Sequence, residues 1–344
     1  MKFIHTGDLH IGGSRFLPNF LERQEEALDQ IFDTAADAGV NTVVIAGDIF
    51  DVSDPSPEER DLVERKILDY DAAGYNILVI PGNHDLVDHS GYTALNYLSM
   101  LCKHERLSNS VIVDSTTYHQ IDDTVFCLLF HNKGCFPEES RKAVIDFHES
   151  SIATGAKNFV MVAHETIRGS QTEIKLSTGD YYRMDTGESP PDPSLDVTYW
   201  ALGDIHKMQR VGPCAYYPGS PLQTRFDSDW PKGVLLVDTD FPDSPEFIPI
   251  DTNQLVKAKI GDSVPSNAYV KLVLDSKSDL VSEDIPTNVV KYEVKKTLSS
   301  LSLDMSGSLK QLLIDGVKQQ GAEGTVMDMA LEEIESLLLS FQDV

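Results

Sequence analysis

The chain has 344 residues, 41% hydrophobic and 24% charged, which suits one large globular domain plus a smaller one and excludes wholesale disorder. Its 28 Lys and Arg against 55 Asp and Glu give a formal charge of −27, which argues against a broad basic face for gripping nucleic acid. That charge still allows a nuclease whose site carries bound cations, or one presented to DNA by a partner; its bland reading is a repulsive, solubilising surface. No apolar run approaches the ~20 residues of a membrane span. Met1-Lys2-Phe3-Ile4-His5 reads as a strand, not a signal peptide. Cys102, Cys127, Cys135 and Cys214 lack C-x-x-C spacing and are expected to be reduced thiols of a cytoplasmic protein.

Lys2 to Thr6 is a short strand that runs into Gly7-Asp8-Leu9-His10. Asn19 to Ala38 is helical, with Phe20, Ala27, Leu28, Ile31, Phe32 and Ala35 near one stripe and Gly39 after it. Asn41 to Ala46 is a buried strand ending in Gly47-Asp48-Ile49-Phe50-Asp51. Ser56 to Ala73 is a second helix, with Pro57, Glu58 and Glu59 suited to its first turn. Asn76 to Ile80 is a third strand, stopped by Pro81-Gly82 and followed by Asn83-His84-Asp85. The alternation predicts a parallel sheet with crossover helices, whose functional groups gather beyond the strands' carboxyl ends.

Further along, Tyr92 to Leu101 and Pro137 to Ser151 are predicted helices. Val111–Val113, Val125–Phe130 and Phe159–Ala163 are predicted strands, the last ending in His164-Glu165. Residues 166–196, rich in Gly, Ser, Thr, Pro and Asp, read as a long surface loop. Val197 to Leu202 is a strand ending in Gly203-Asp204-Ile205-His206, and Gly233 to Asp238 is another. Near residue 250 the pattern changes: Tyr269 to Leu274 and Val289 to Lys295 are strands of a small α+β segment. From Ser306 the signals are helical, and Val326, Ala330, Ile334, Leu337, Leu338 and Phe341 form an apolar stripe.

Five strand ends thus carry Asp8 and His10, Asp48, Asn83 and His84, His164, and Asp204 and His206. Carboxylates, imidazoles and one amide in this mixture are the ligand chemistry of a pair of divalent first-row metals. Any one block alone is more simply a turn with local hydrogen bonds; five in one order after apolar strands are not. Other histidines, including His131, read as polar loop residues.

These blocks, Asp8-x-His10, Gly47-Asp48-x-x-Asp51, Gly82-Asn83-His84-Asp85, His164 and Gly203-x-x-His206, resemble the ordered motifs of the calcineurin-like metallophosphoesterase superfamily. Tyr217-Pro218-Gly219-Ser220-Pro221, Phe226 and Lys232-Gly233 through Asp238 resemble its SbcD-type nuclease branch. The resemblance implies an α/β fold: a metallophosphoesterase β-sandwich flanked by helices over residues 1–250, a small α+β capping domain over 251–303, and C-terminal helices over 304–344. It implies that Asp8, His10 and His206 bind one metal, that Asp48 bridges, and that Asn83, His164 and Asp204 bind the second. His84 would be a catalytic non-ligand that protonates the leaving oxygen, oriented by a hydrogen bond that it donates to Asp51. Two departures stand out: Asp204 where the family usually has His, and Ala163 where it often has Gly. An added carboxylate favours manganese, with magnesium as the alternative.

Three functions follow as expectations. The first is a manganese-dependent DNA nuclease with double-strand exonuclease and single-strand endonuclease activity, with DNA and an SbcC-type ATPase, held by the C-terminal helices, as partners and a homodimer admitted. The second is another dinuclear phosphoesterase acting on a cyclic nucleotide, a small phosphodiester or a phosphoprotein. The third is a non-enzymatic interaction protein that keeps a metal site for stability.

Overall fold

The computed structural model describes residues 1–87, 92–104, 106–131, 138–149 except 140, 144 and 148, 155–168, 170–175, 181–183, 196–226, 228, 230–252, 254–274 and 288–294. By its contacts the chain forms two compact units. The first holds Met1–Leu274 and Leu280–Glu293 and carries everything described below; the second holds Asp275–Asp279 and Val294–Val344. The C-terminal helices expected over 304–344 lie outside the described residues.

Three β-branched runs start the fold. Strands β1 (Lys2–Thr6), β2 (Thr42–Ala46) and β3 (Asn76–Ile80) are parallel neighbours, joined by helices α1 (Phe20–Asp37) and α2 (Pro57–Ala72). α1 forms where its apolar stripe predicts, burying Ala27, Leu28, Ile31, Phe32 and Ala35. α2 opens with a reciprocal cap: the Ser56 hydroxyl accepts from the Glu59 N–H and the Glu59 carboxylate accepts from the Ser56 N–H. The third helix, α3 (Asn96–Lys103), starts four residues later than Tyr92. The reason is local: the Asn96 side chain accepts from the Thr93 N–H and hydroxyl, and Val87 N–H donates to Tyr92 O, so 92–95 is a turn.

Two sheets of six strands result. In the first, β4 (Val111–Ile112) lies beside β3, while β13 (Gly233–Asp238) pairs antiparallel with β1 and β14 (Glu246–Pro249) pairs with β13. The second sheet is built from β5 (Thr117–Ile121), β6 (Thr124–Leu128), β7 (Asn158–His164), β10 (Tyr199–Gly203), β11 (Gln209–Arg210) and β12 (Ala215–Tyr217). Its order is β11-β12-β10-β7-β6-β5, so β7 and β10 are parallel neighbours in the middle. The stretch read as one long loop holds a hairpin instead, β8 (Gln171–Lys175) with β9 (Tyr181–Arg183). Its strand residues are polar and too short a run to stand out from loop composition.

Strand alternation explains why the two sheets stack. Phe3, Val44, Ala46, Leu78 and Ile80 meet Phe126, Leu128, Val160, Val162, Tyr199 and Ala201 in one buried layer. The alternate residues Ile4, Val43, Ile45, Ile77 and Val79 face α1 and α2. Each such side chain contributes about 1.5–3 kcal/mol on burial. Both faces of the central strands are covered, so their sequences run apolar without a break. A separate sheet of β15 (Leu255–Ala258), β16 (Tyr269–Leu274) and β17 (Val289–Val294) follows, with its last two strands where the pattern predicts them. Among the described residues no helix is long and apolar enough to cross a membrane. Cys102, Cys127 and Cys214 are free thiols, and Cys135 lies outside the described residues.

Candidate metal centre

The carboxyl ends of β1, β2, β3, β7 and β10 converge. The Asp8 N–H donates to Gly47 O and the His10 N–H to Asp48 O, which extends the β1–β2 pairing into both loops. The loops are bent to aim their side chains. Asp8 (φ 52°), His10 (46°), Asp48 (50°) and Asp204 (99°) are four of the six non-glycine residues with positive φ among those described. Each such residue costs on the order of 1 kcal/mol, and Asp and His tolerate it better than most. That concentration of strain marks the site independently of side-chain chemistry.

Three groups of donors fall within 4.8 Å of one another: Asp8, His10 and His206; His10, Asp48 and His84; and Asp8, Asp48 and His164. His10 Nε2 lies 2.8 Å from His206 Nε2 and 3.5 Å from Asp48 Oδ2. His164 Nε2 lies 3.4 Å from Asp48 Oδ1, 3.1 Å from Asn83 Oδ1 and 3.8 Å from Asp204 Oδ1. Asp48 therefore stands between two sets of nitrogen and oxygen donors, one carboxylate oxygen toward each. One far ring nitrogen is held by a hydrogen bond, His164 Nδ1 donating to Ala46 O at 2.8 Å, while His10 Nδ1 faces the Asp51 carboxylate at 3.3 Å without hydrogen-bond geometry. The bond to Ala46 O fixes the His164 tautomer and leaves its Nε2 for a metal. Asp8 Oδ2 is buried without a hydrogen-bond partner among the described residues, a cost that a cation would remove. The residues therefore fit a divalent pair.

The electrostatics agree. Burial raises the Asp8 carboxyl above its usual range, against the pull of His206 and His164. Burial pushes Asp48 the same way, but His164, His10 and the N–H of His84 outweigh it and hold Asp48 well below the usual carboxylate range. For His164 burial is outweighed by Asp48, Asp8 and Asp204, and its imidazole is held well above the ordinary value. Without ions the Asp48 carboxylate is paired with the His164 imidazolium, and a cation would take over the role of that proton.

Several sequence expectations acquire a location. His84 is partly exposed, and its Nδ1 donates to the main-chain oxygen of Asp51 at 2.7 Å. The expected orienting bond is thus made by the backbone of Asp51, while its carboxylate turns to His10, which lowers its pKa. His84 also lies close enough to His10 and Asp48 to be a donor itself. Asp204 stands at the edge of the cluster, outside the three tight groups; its N–H donates to Asp8 Oδ1 at 3.0 Å and its carboxylate accepts from the Thr166 hydroxyl. His131 is a loop residue outside the three donor groups, and its Nδ1 donates to His164 O at 2.7 Å and faces Glu165 at 3.1 Å.

Sequence reasoning missed the residues that hold these loops. Asp85 is fully buried, and its carboxylate accepts from the N–H groups of Ile49, Phe50 and Gly82. It ties the Asp48 loop to the Asn83-His84 loop. Gln24, buried on α1, donates to His10 O and Gly13 O and accepts from the Gly12 N–H. A polar residue on an otherwise apolar helix face was the available signal. Gly82 is required for space: a Cβ there would stand 2.1 Å from Asp48 Oδ1.

Comparison with known proteins adds the family. The calcineurin-like phosphoesterase model matches residues 1–208. The SbcD component of the SbcCD nuclease of Escherichia coli strain K12 is 26% identical over 270 residues, 66% of this chain and 62% of that protein. The protein of the same name from Bacillus subtilis strain 168 is 27% identical over 268 residues, 69% of this chain and 66% of that one. The matched part spans less than two thirds of either relative's length. Among solved structures, TT1561 of Thermus thermophilus aligns over 73% of this chain and 99% of its own, at 12% identity and a TM-score of 0.43. With the family's pattern matched across residues 1–208 and its donor residues gathered at one edge of two stacked sheets, the chain belongs to the calcineurin-like phosphoesterase family.

Proposed function

We propose that the chain is a DNA nuclease of the SbcD type that works with two divalent ions, manganese preferred and magnesium as the alternative. The observation that carries the reading is Asp48, whose Oδ2 faces His10 and whose Oδ1 faces His164, with His206 close to the first imidazole and Asn83 and Asp204 near the second. The relatives named as a component of the SbcCD nuclease support the choice of DNA over other phosphodiesters. In this reading Asp8, His10 and His206 would hold one ion, Asn83, His164 and Asp204 would hold the other, and Asp48 would be shared between them. Such ions, when bound, polarise a phosphoryl oxygen and lower the pKa of a coordinated water.

The chain's own contribution is position and proton. His84 Nδ1 donates to Asp51 O, which leaves Nε2 as the other ring nitrogen of this half-buried residue, without a hydrogen bond among the described residues. Only the imidazolium form carries a proton there to give to a leaving oxygen. The backbone N–H of His84 donates to Asp48 Oδ1 at 2.9 Å, which fixes the ring relative to the donors. The reading includes double-strand exonuclease and single-strand endonuclease activity in the cytoplasm. It also includes an SbcC-type ATPase partner, for which residues 304–344 are the candidate contact, and a capping role for 251–303.

Digestion of linear duplex, single-stranded DNA and bis-p-nitrophenyl phosphate, each with manganese and with chelator, tests the proposal. Metal-dependent cleavage of DNA is expected. Hydrolysis of the small diester with both DNAs left intact would replace the nuclease by an enzyme of small phosphodiesters.

A further inference from the structure

The block Tyr217-Pro218-Gly219-Ser220-Pro221 and the later Lys232 are not donors to any ion, yet they meet the metal centre from behind. The main-chain oxygen of His206 receives three donors. Trp230 Nε1–H reaches it at 3.0 Å, the Ser220 N–H at 3.2 Å and the Lys232 ammonium at 3.3 Å. Lys232 also donates to the Ser220 hydroxyl at 2.8 Å, so one cation ties the two peptide segments together. The approach is as close as backbone allows. Gly219 has φ +77°, and a Cβ there would stand 2.8 Å from His206 O and from Met208 N. Trp230 is in turn placed by charge, with Lys232 Nζ at 5.2 Å and Lys207 Nζ at 5.8 Å from its ring centre.

One carbonyl has two lone pairs, and three donors including an ammonium saturate it. The other donor histidine of β7 is held differently, by Ala46 O on its ring and His131 on its carbonyl. The clamp therefore acts on one donor set only, that of Asp8, His10 and His206.

We infer that Lys232 and Trp230 are positioning residues that lock the His206 peptide and so present the His206 imidazole to one of the two metal positions. The inference rests on the proposed assignment of His206 as a donor. Outer partners of metal ligands typically change affinity by about 10–100-fold when removed. The loss here should fall on one ion and leave the other.

The test titrates Mn2+ into chelator-stripped, desalted full-length protein by calorimetry, with the melting temperature of the stripped protein measured alongside. The variants are Lys232→Met, Trp230→Phe, Lys232→Arg and His206→Ala. Lys232→Met and Trp230→Phe should each weaken one Mn2+ by about tenfold or more, keep the other at wild-type affinity, and melt as wild type. Lys232→Arg, which can still donate to both oxygens, should recover most of the loss. If His206→Ala weakens one ion but Lys232→Met and Trp230→Phe weaken none, the clamp is idle and the inference falls while the donor assignment stands. If His206→Ala leaves both ions in place, the assignment itself falls. Equal loss of both ions with a lowered melting temperature in Lys232→Met and Trp230→Phe would mean a general structural role, and would also overturn the inference.

Discussion

Asp48 is the residue on which the site turns, because its two carboxylate oxygens face different histidines, His10 at 3.5 Å and His164 at 3.4 Å. If Asp48 is the shared ligand proposed for it, Asp48→Ala should loosen both ions and abolish hydrolysis. Elemental analysis of purified variant and wild type checks this, and two ions retained at wild-type affinity would refute a shared role. His84 poses a sharper question, since its ring stands near enough to Asp48 and His10 to be a donor, yet its Nδ1 is committed to Asp51 O. As a proton donor it is dispensable for metal. His84→Ala should keep both ions and DNA binding and lose cleavage by roughly 10²–10⁴-fold, the range of a general acid. A collapse in metal content would make it a ligand instead.

The loops behind these residues behave as elements, and Asp85 is the tie between two of them. Its buried carboxylate satisfies three main-chain donors, Ile49, Phe50 and Gly82. Burial, with Asp48 close by, pushes its pKa up to about 7 despite those donors. Asp85→Ala leaves three N–H groups buried and unpaired, and should destabilise the metal-free protein by about 3 kcal/mol. Urea unfolding measures it, and a loss below about 1 kcal/mol would mean that water or a shifted loop replaces the carboxylate. How much of this was legible follows from what each signal depends on. Strands β1, β2, β3, β6, β7 and β10 are buried on both faces, so their apolar runs stand out from the sequence alone. The donors could be found because polar residues cluster where those runs stop. Strand β5 alternates exposed and half-buried positions at the edge of its sheet, and β11 and β12 are two and three residues long. No period can be read from so few residues. Asp85 and Gln24 were seen as letters, but their work is on backbone brought close only by the fold. The exchange at Asp51, main chain to His84 and carboxylate to His10, is a matter of loop geometry that spacing does not encode.

At the scale of the whole molecule, the two sheets meet in an apolar layer that is crossed by a polar tether at His5. His5 of β1 is fully buried there, with Nδ1 3.0 Å from the Tyr199 hydroxyl and Nε2 3.2 Å from Leu202 O, both on β10 of the opposite sheet. Nε2–H donates to the carbonyl and Nδ1 accepts from the hydroxyl, so both partners are satisfied by a neutral ring. Burial depresses its pKa from 6.5 to about 3, the Leu202 bond opposing only in part. The sign follows directly. Below about pH 6.5 the unfolded chain takes up a proton that the folded chain refuses, so folding stability falls as pH falls, until about pH 3. The slope from this one group is about half of 1.4 kcal/mol per pH unit at pH 6.5 and approaches about 1.4 kcal/mol per unit a pH unit or more below that. His164 acts in the opposite sense, since its raised pKa adds stability at low pH that is lost as pH rises through its folded value. The His5 contribution must therefore be read as a difference between proteins that share His164. His5→Gln supplies the comparison: its amide can donate to Leu202 O and accept from Tyr199, and it does not titrate. Urea unfolding of both stripped proteins at pH 7, 6 and 5 should show the wild type losing about 0.7 kcal/mol more than the variant from pH 7 to 6 and about 1.2 kcal/mol more from pH 6 to 5. Parallel stability profiles would mean that the buried imidazole is protonated in the folded protein, and that the layer between the sheets admits a charge there.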